Sequence, residues 1–375
     1  MSIYAFAEME EGRAKRIYAS TRYPSKQIGN IFADCDDEIN LKYADELPLR
    51  IQGCYALVAF RPSHILLSRD VLAGKPLYFD NTTLTFSSFK HYFEEEPLEV
   101  LGGEVVKISY EGYVLERKRF KFEDVFKPAE IEIEEAKERI LRLLESYRSK
   151  IKNGCIAFSG GVDSSLLAGL YDLPLVTVTA SKEEKEWVKE CARKLGREIE
   201  IYEFDENVVK EVLPDVMKAI EMQDKLQLSI AVPVYLCMRF AKSLGFSEIV
   251  FGQGADELFG GYKRYESMDY RDLEFELRKD LMEIGEKNLV RDNKIAYTNE
   301  IKLHTPYLQW DLIRIAMSIP VELKIKRNGE VIRKLILREV AKEVIPEEMA
   351  YRDKKAIQYS TKTAKMLKKV LRDLQ

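Results

Sequence analysis

The string Ser159-Gly160-Gly161-Val162-Asp163-Ser164-Ser165 follows a short apolar run, GCIAF (154–158), and leads into a helical pattern. Its residue types suit a phosphate. Two glycines let the backbone turn tightly and approach a ligand, while N–H groups of the loop and helix start attract an anion. The hydroxyls of Ser159, Ser164 and Ser165 add donors. Asp163 would repel a phosphate in direct contact, which makes sense only with a Mg2+ between the two. A bare Ser-Gly-Gly also suits an ordinary strand-to-helix turn capped by Asp or Ser; the full string in this position is more specific. The patterns G-x-x-x-x-G-K-[ST] and G-x-G-x-x-G are absent.

A second cluster, FGQGADELFGGY (251–262), again follows an apolar run, EIVFG. Its acids, Asp256 and Glu257, are flanked by glycines, among them Gly252. If both clusters reach one sheet edge, Asp163 and Asp256 can ligate one or two Mg2+ on a phosphate chain. A solvated helix start is the alternative account of Asp256-Glu257, and the flanking glycines and the placement after a strand argue against it.

These clusters need a frame to hold them. Residues 1 to about 120 read as β-rich, with IQGCYALVAF (51–60), SHILLSRD (63–70), KPLYFD, LTFSSF, EVVKISYEG and YVLERKRF separated by turn signals at Asp80-Asn81 and Glu111-Gly112. This is the pattern of a meander. After Lys127-Pro128 the rhythm changes. A helix with Ile140, Leu143, Leu144 and Tyr147 at helical spacing comes first, and apolar runs at 154–159, 174–180, 198–204 and 248–253 then alternate with helical stretches. Such alternation predicts a doubly wound parallel sheet whose ligands sit at the carboxyl ends of its strands. The boundaries expected are 1–125 for a β-rich domain and 126–375 for an α/β domain.

Composition narrows the class. Lys+Arg 59 against Asp+Glu 63 leaves a formal charge of −4, so no global basic field recruits nucleic acid. The longest apolar run, Ile230 to Met238, is far short of the roughly twenty residues of a membrane span. The N-terminus lacks the layout of a signal peptide. Five dispersed cysteines and three histidines argue against disulfides and against a zinc site, and the expected compartment is the cytoplasm. The C-terminal stretch reads as a basic helix packing on Met366, Leu367, Val370, Leu371 and Leu374.

SGGVDSS resembles the PP-motif of the ATP pyrophosphatases, and FGQGADELFGGY resembles a stretch shared by asparagine synthetases and β-lactam synthetases. Within GEVIRKLILR (329–338), Lys334 matches the lysine of the family segment K-x-[IL]-L-R. The resemblance implies an ATP site made by Ser159, Gly160, Gly161, Val162, Asp163, Ser164, Ser165, Gly252 and Glu257, with backbone near Val178 for the adenine. It implies Mg2+ on Asp163 and Asp256, and catalytic roles for Asp256, Gln253 and Lys334, whose cation would offset charge on the α-phosphate and the leaving pyrophosphate. Two departures stand out. Gln253 replaces the usual Glu, and an amide is not a general base. The family's E-x-R-x-P-[FY]-L-D reads here with Lys302, His304 and Gln309, either a rewired buried network or a different acceptor.

Residues 53–89 and 101–112 resemble the later part of a class II glutaminase domain, an Ntn-hydrolase fold. That family needs a cysteine after the initiator Met; here Ser2 stands there, and the domain is short. The resemblance therefore implies a truncated, degenerate glutaminase-like domain joined to an ATP pyrophosphatase domain. The expected activity is an asparagine synthetase-like, ATP-dependent ligase that activates a carboxylate, first of all aspartate, and takes ammonia rather than glutamine. A ligase for a different carboxylate and an inert nucleotide-binding scaffold are the alternatives. Small molecules are the expected partners, with neither membrane nor nucleic acid, and a homodimer is compatible with this.

Overall fold

The computed structural model describes residues 2–128, 130–327, 329–352 and 357–373. The chain divides into two compact units, Met1–Lys127 with Met282–Glu300, and Pro128–Leu281 with Ile301–Gln375. The first break falls where the sequence rhythm changes. Residues 282–300, expected within a domain of 126–375, cluster instead with the β-rich unit.

That unit contains β1 (Ile3–Glu10), β2 (Arg13–Thr21), β3 (Lys26–Ile28), β4 (Ile31–Asp34), β5 (Ala56–Phe60), β6 (Ile65–Arg69), β7 (Tyr78–Asp80), β8 (Thr85–Ser87), β9 (Leu98–Glu99), β10 (Glu104–Ile108) and β11 (Val114–Arg119). They form two sheets, ordered β2-β1-β8-β7-β9 and β11-β10-β6-β5-β4-β3. It is not a meander: β1 lies beside β8, with Tyr4 opposite Ser87 and Ala5 opposite Phe86. Strand alternation accounts for two cores. Ala56, Val58, Ile65 and Leu67 join Ile3, Ala5, Phe79 and Phe86, whereas Leu57, Ala59 and Leu66 face the other way onto Leu47 and Ile51.

The segment after Met282 forms a wide turn, Gly285–Leu289, and a helix, Val290–Thr298. Its polar residues Arg291, Asp292, Asn293 and Lys294 are all buried. Their partners explain this, because a buried polar group is tolerated when it is bonded. Lys75 Nζ pairs with Asp34 at 3.0 Å and donates to Asn293 Oδ1 at 2.9 Å. Asn293 Nδ2 donates to Gly74 O at 2.9 Å, and Tyr297 OH donates to Asp34 at 2.7 Å.

In the second unit β12 (Gly154–Ala157), β13 (Leu175–Thr179), β14 (Ile199–Glu203), β15 (Glu248–Val250) and β16 (Lys302–His304) form one parallel sheet. The order is β14-β13-β12-β15-β16, so the winding reverses between β12 and β15. That reversal is the expected doubly wound arrangement, and it opens a ligand crevice at the carboxyl ends of those two strands. The loops leaving β12 and β15 are the two clusters singled out by their residue types. The helix Ile133–Tyr147 buries Ala136, Ile140, Leu144 and Tyr147. The last helix, Thr363–Asp373, buries Met366, Leu367 and Val370; Leu374 lies outside the described residues. Among the described residues no helix is long and apolar enough to cross a membrane.

Candidate active site

β12 ends at Ala157, and the chain turns through Ser159 and Gly160 into the helix Val162–Leu170, with Gly161 extended at its cap. Gly160 has φ +64°, and a Cβ there would lie 2.4 Å from Trp187 Nε1, so only glycine fits. The Trp187 indole donates to Gly160 O at 3.2 Å, and the Arg352 guanidinium lies 3.9 Å from the Trp187 ring. Sequence reasoning missed this pin, because nothing in the loop predicts a tryptophan 27 residues later. Ser164 Oγ serves the loop itself, within 3.1 Å of Ser159 N and of Ser159 Oγ and 3.2 Å from Gly161 O. Ser165 Oγ is buried with no hydrogen-bond partner among the described residues. Such a hydroxyl is costly unless a ligand satisfies it.

Across the crevice stands Lys334. It caps the start of the helix Leu335–Ala341, in the left-handed region with φ +56°. A non-glycine residue there stores about 1–3 kcal/mol, which the surroundings must hold. Arg333 donates to Gly261 O at 2.8 Å, and Arg338 donates to Arg333 O at 2.7 Å and to Ala350 O at 2.6 Å. The result is a lysine 3% exposed whose Nζ lies 2.6 Å from Asp163 Oδ1 and 2.5 Å from Asp256 Oδ1. Gly261 makes room for it: a Cβ there would sit 2.2 Å from Lys334 Cε and 1.8 Å from Asp256 Oδ1. Tyr307, also unforeseen, donates to Asp163 O at 3.0 Å.

Asp256 and Glu257 begin the helix Ala255–Phe259. Burial, with the Asp256 charge adding to it, pushes the Glu257 carboxyl up to about 7, against the hydrogen bond it accepts from Tyr262 OH at 2.6 Å. Gly252 and the half-buried Gln253 occupy the loop between β15 and this helix. Val178 lies on β13 two residues after Val176, whose carbonyl accepts from Phe158 N. By strand alternation the Val178 N–H and C=O point the same way, beyond the last β12 residue paired with β13, Ala157. An adenine edge could bond there. Among the described residues no cluster of three or more His, Cys, Asp or Glu is arranged to hold a metal. Two carboxylates, Asp163 and Asp256, beside a glycine-rich loop are nevertheless a donor set suited to Mg2+, which takes one or two carboxylates plus substrate phosphates.

Two of the departures on the acceptor side, His304 and Gln309, pack within the fold. His304 is buried, with Nε2 3.2 Å from Glu248 Oε2 and Nδ1 3.3 Å from Tyr147 OH. Gln309 donates to Leu143 O at 2.9 Å and Pro306 O at 3.0 Å. Both side chains are engaged within the fold.

The family model "Asparagine synthase" matches residues 152–282 and 266–375, a span that contains every residue of this cradle. The chain belongs to the asparagine synthase family. As a member of that family it is an ATP-dependent carbon–nitrogen ligase. It is 30% identical to "Putative asparagine synthetase [glutamine-hydrolyzing] 1" of Methanocaldococcus jannaschii, over 94% of this chain and 77% of that one. It is also 29% identical to the nodule asparagine synthetase [glutamine-hydrolyzing] of Pisum sativum, over 53% of this chain and 38% of that one. A solved glutamine-dependent NAD+ synthetase of Acinetobacter baumannii superposes at a TM-score of 0.30 with 14% identity, over 75% of this chain and 54% of that one, too low to support a comparison of folds. Ser2 lies outside the part matched by the asparagine synthase family model. It is wholly buried, its hydroxyl against Ser25 Oγ and bonded to Tyr297, and its carbonyl accepts from Arg22 N at 2.9 Å.

Proposed function

We propose that this protein forms an amide by adenylating a carboxylate, aspartate in the first instance, and that its nitrogen comes from ammonia rather than glutamine. The observation that carries the reading is the Asp163–Lys334–Asp256 bridge at the crevice between β12 and β15, together with the hydroxyl of Ser165, which has no partner among the described residues. In this reading the 159–165 loop binds the β- and γ-phosphates of ATP through its N–H groups and hydroxyls, and Val178 offers backbone to the adenine. Asp163 and Asp256 would hold Mg2+, which when bound supplies charge neutralisation on the phosphates.

A carboxylate oxygen of the acceptor attacks the α-phosphorus, the bond to the bridging oxygen breaks, and pyrophosphate leaves. Lys334 stabilises the charge that develops there. It is already fixed and desolvated, so little reorganisation is needed as the reaction proceeds. The amine then attacks the acyl carbon, AMP leaves, and the nitrogen loses a proton. Gln253 orients rather than deprotonates, since an amide has no basic lone pair at neutral pH. The buried, bonded state of Ser2 supports ammonia as donor and a scaffold role for the β-rich unit, which we read as a degenerate glutaminase-like domain.

The test is pyrophosphate release from purified protein with Mg-ATP, in all combinations of aspartate, ammonia and glutamine. Aspartate-dependent release, with asparagine formed from ammonia and not glutamine, is expected. Glutamine-supported asparagine would overturn the nitrogen assignment, and release that ignores aspartate would overturn the acceptor.

A further inference from the structure

The Gly160 carbonyl is turned toward the helix Lys182–Lys194, where it accepts the Trp187 indole N–H at 3.2 Å. The same peptide unit carries a second polar group, the Gly161 N–H. Among the described residues the one cis peptide is at Tyr23-Pro24, so this unit is trans, and its C=O and N–H point in opposite directions. Holding the first therefore aims the second. The Gly161 N–H reaches Ser159 Oγ at 3.4 Å, too long for a strong hydrogen bond. It is a loop donor that can exchange this contact for a better acceptor.

A peptide unit between two glycines is easily turned over. Rotation of Gly160 ψ together with Gly161 φ carries no side chain with it, and neither residue has a Cβ to resist it. Turned over, the unit would present a carbonyl oxygen where the N–H now stands. Toward an anion, that exchanges an attractive dipole for a repulsive one. The glycines alone do not choose between the two settings.

The choice lies outside the loop. The Arg352 guanidinium carbon lies 3.9 Å from the centre of the Trp187 ring, and Arg352 Nη2 lies 3.4 Å from Glu184 Oε2. Glu184 and Trp187 are one helical turn apart, so they share a face and the guanidinium spans both. The stack holds the indole plane, and with it the direction of the indole N–H. The main chain of Arg352 is held in turn, its carbonyl accepting from Arg338 Nη1 at 3.0 Å. Arg338 is also the residue that donates to Arg333 O, beside Lys334. Arg352 is thus tied by its main chain to the lysine turn and by its side chain to the 159–165 loop.

We propose that Arg352 and Trp187 form a lock on the Gly160–Gly161 peptide, and that this lock makes the 159–165 loop receptive to an oxyanion of the phosphate class. Arg352 is a positioning residue, acting through Trp187 rather than on the ligand. That the anion is the phosphate chain of ATP rests on the reaction proposed above.

The experiment is calorimetric titration of ATP, inorganic pyrophosphate and adenosine, with Mg2+ present, into the full chain. The proteins are the natural one, Trp187→Phe, Arg352→Met, Arg352→Lys and the double variant Trp187→Phe/Arg352→Met. Phenylalanine keeps a ring under the guanidinium and removes the N–H. ATP and pyrophosphate should bind about three- to ten-fold more weakly to Trp187→Phe, the size of one hydrogen bond. Arg352→Met should lose as much or less, and Arg352→Lys, which keeps a cation over the ring, should recover part. In the double variant the loss should match that of Trp187→Phe alone, because Arg352 then has no N–H to direct. Adenosine should not discriminate among the proteins, an outcome that a general loosening of the fold would not give. Losses that multiply in the double variant, or that extend to adenosine, overturn the lock. Unchanged affinity for ATP and pyrophosphate in Trp187→Phe overturns it as well and leaves the proposed ATP site. Pyrophosphate binding that depends on Trp187, without ATP binding, removes the ATP reading and leaves the lock. Binding of neither by the natural protein removes both.

Discussion

Replacing Lys324 by Met should make the protein more stable at neutral pH, and the gain should vanish in alkali. The side chain is 6% exposed, and burial brings its ammonium from the ordinary 10.5 to about 8. At about 1.4 kcal/mol per pKa unit, that shift amounts to roughly 3 kcal/mol of native-state cost when both states are protonated. The sign follows from proton counting. Below pH 8 folded and unfolded chains both carry the proton, and the full cost is present. Between pH 8 and 10.5 the unfolded chain keeps it while the folded chain has lost it, so stability rises with pH. Methionine has a similar stem and no charge, so it keeps the packing and removes the cost at every pH. Lys324 lines a cleft together with the charged groups Glu257, Glu274, Glu322, Arg271 and Arg278; these are common to both proteins, and their titration largely cancels in the difference. Guanidinium unfolding followed by tryptophan fluorescence suits the measurement, because Trp187 and Trp310 both lie in the unit that contains Lys324. A Lys324→Met protein less stable than the natural one at pH 7, or a stability difference constant from pH 7.5 to 10, would refute the reasoning.

Asp163→Asn should abolish pyrophosphate release, a loss of about 10²–10³ or more if it removes one stabilising group from the transition state, with folding retained by circular dichroism. Gly261→Ala should push the new methyl into Lys334 Cε and Asp256 Oδ1; about 1–3 kcal/mol of stability is expected to go, with activity, in a melting and turnover assay. Trp187→Ala should release Gly160 and raise the KM for ATP more than it lowers kcat, read by steady-state kinetics. At Glu248 burial alone would raise the carboxyl, but the hydrogen bonds from His304 and the Lys152 N–H outweigh it and hold it below the usual range. Its contribution is present above pH about 4.5 and lost as pH falls through the lower folded value, so the stability gap between the natural protein and Glu248→Gln should close on acidification.

The parts of this molecule that sequence makes legible are those where local chemistry and local geometry coincide. SGGVDSS names both a turn and a ligand, and the alternation of apolar runs with helical stretches leads to the parallel sheet that brings Asp163 and Asp256 together. What escapes is what depends on distant partners. Trp187 seen alone is an ordinary half-buried residue of a helix, and only its bond to Gly160 O gives it a role. His304 and Gln309 look like altered substrate contacts until Glu248, Tyr147 and Leu143 are seen beside them. The helix Val290–Thr298 misleads most, because the polarity of Arg291, Asp292, Asn293 and Lys294 marks it as surface. A hydrophobic pattern cannot report burial that is met by hydrogen bonds.

That helix also sets a schedule for synthesis. Residues 1–127 of the β-rich unit leave the ribosome before the other unit, yet Asp34, Lys75 and Gly74 find their partners Tyr297 and Asn293 only when segments more than two hundred residues further along have been translated. Chains elongate at about 5–20 residues per second, so the earliest strands must wait through the making of most of the other unit. During that interval Lys75 and Asp34 still have each other, but the space taken by Asn293 and Tyr297 is open to water or to a chaperone. Expressing residues 1–127 alone would reproduce this waiting state, and supplying 282–300 as a separate peptide would be the way to complete it.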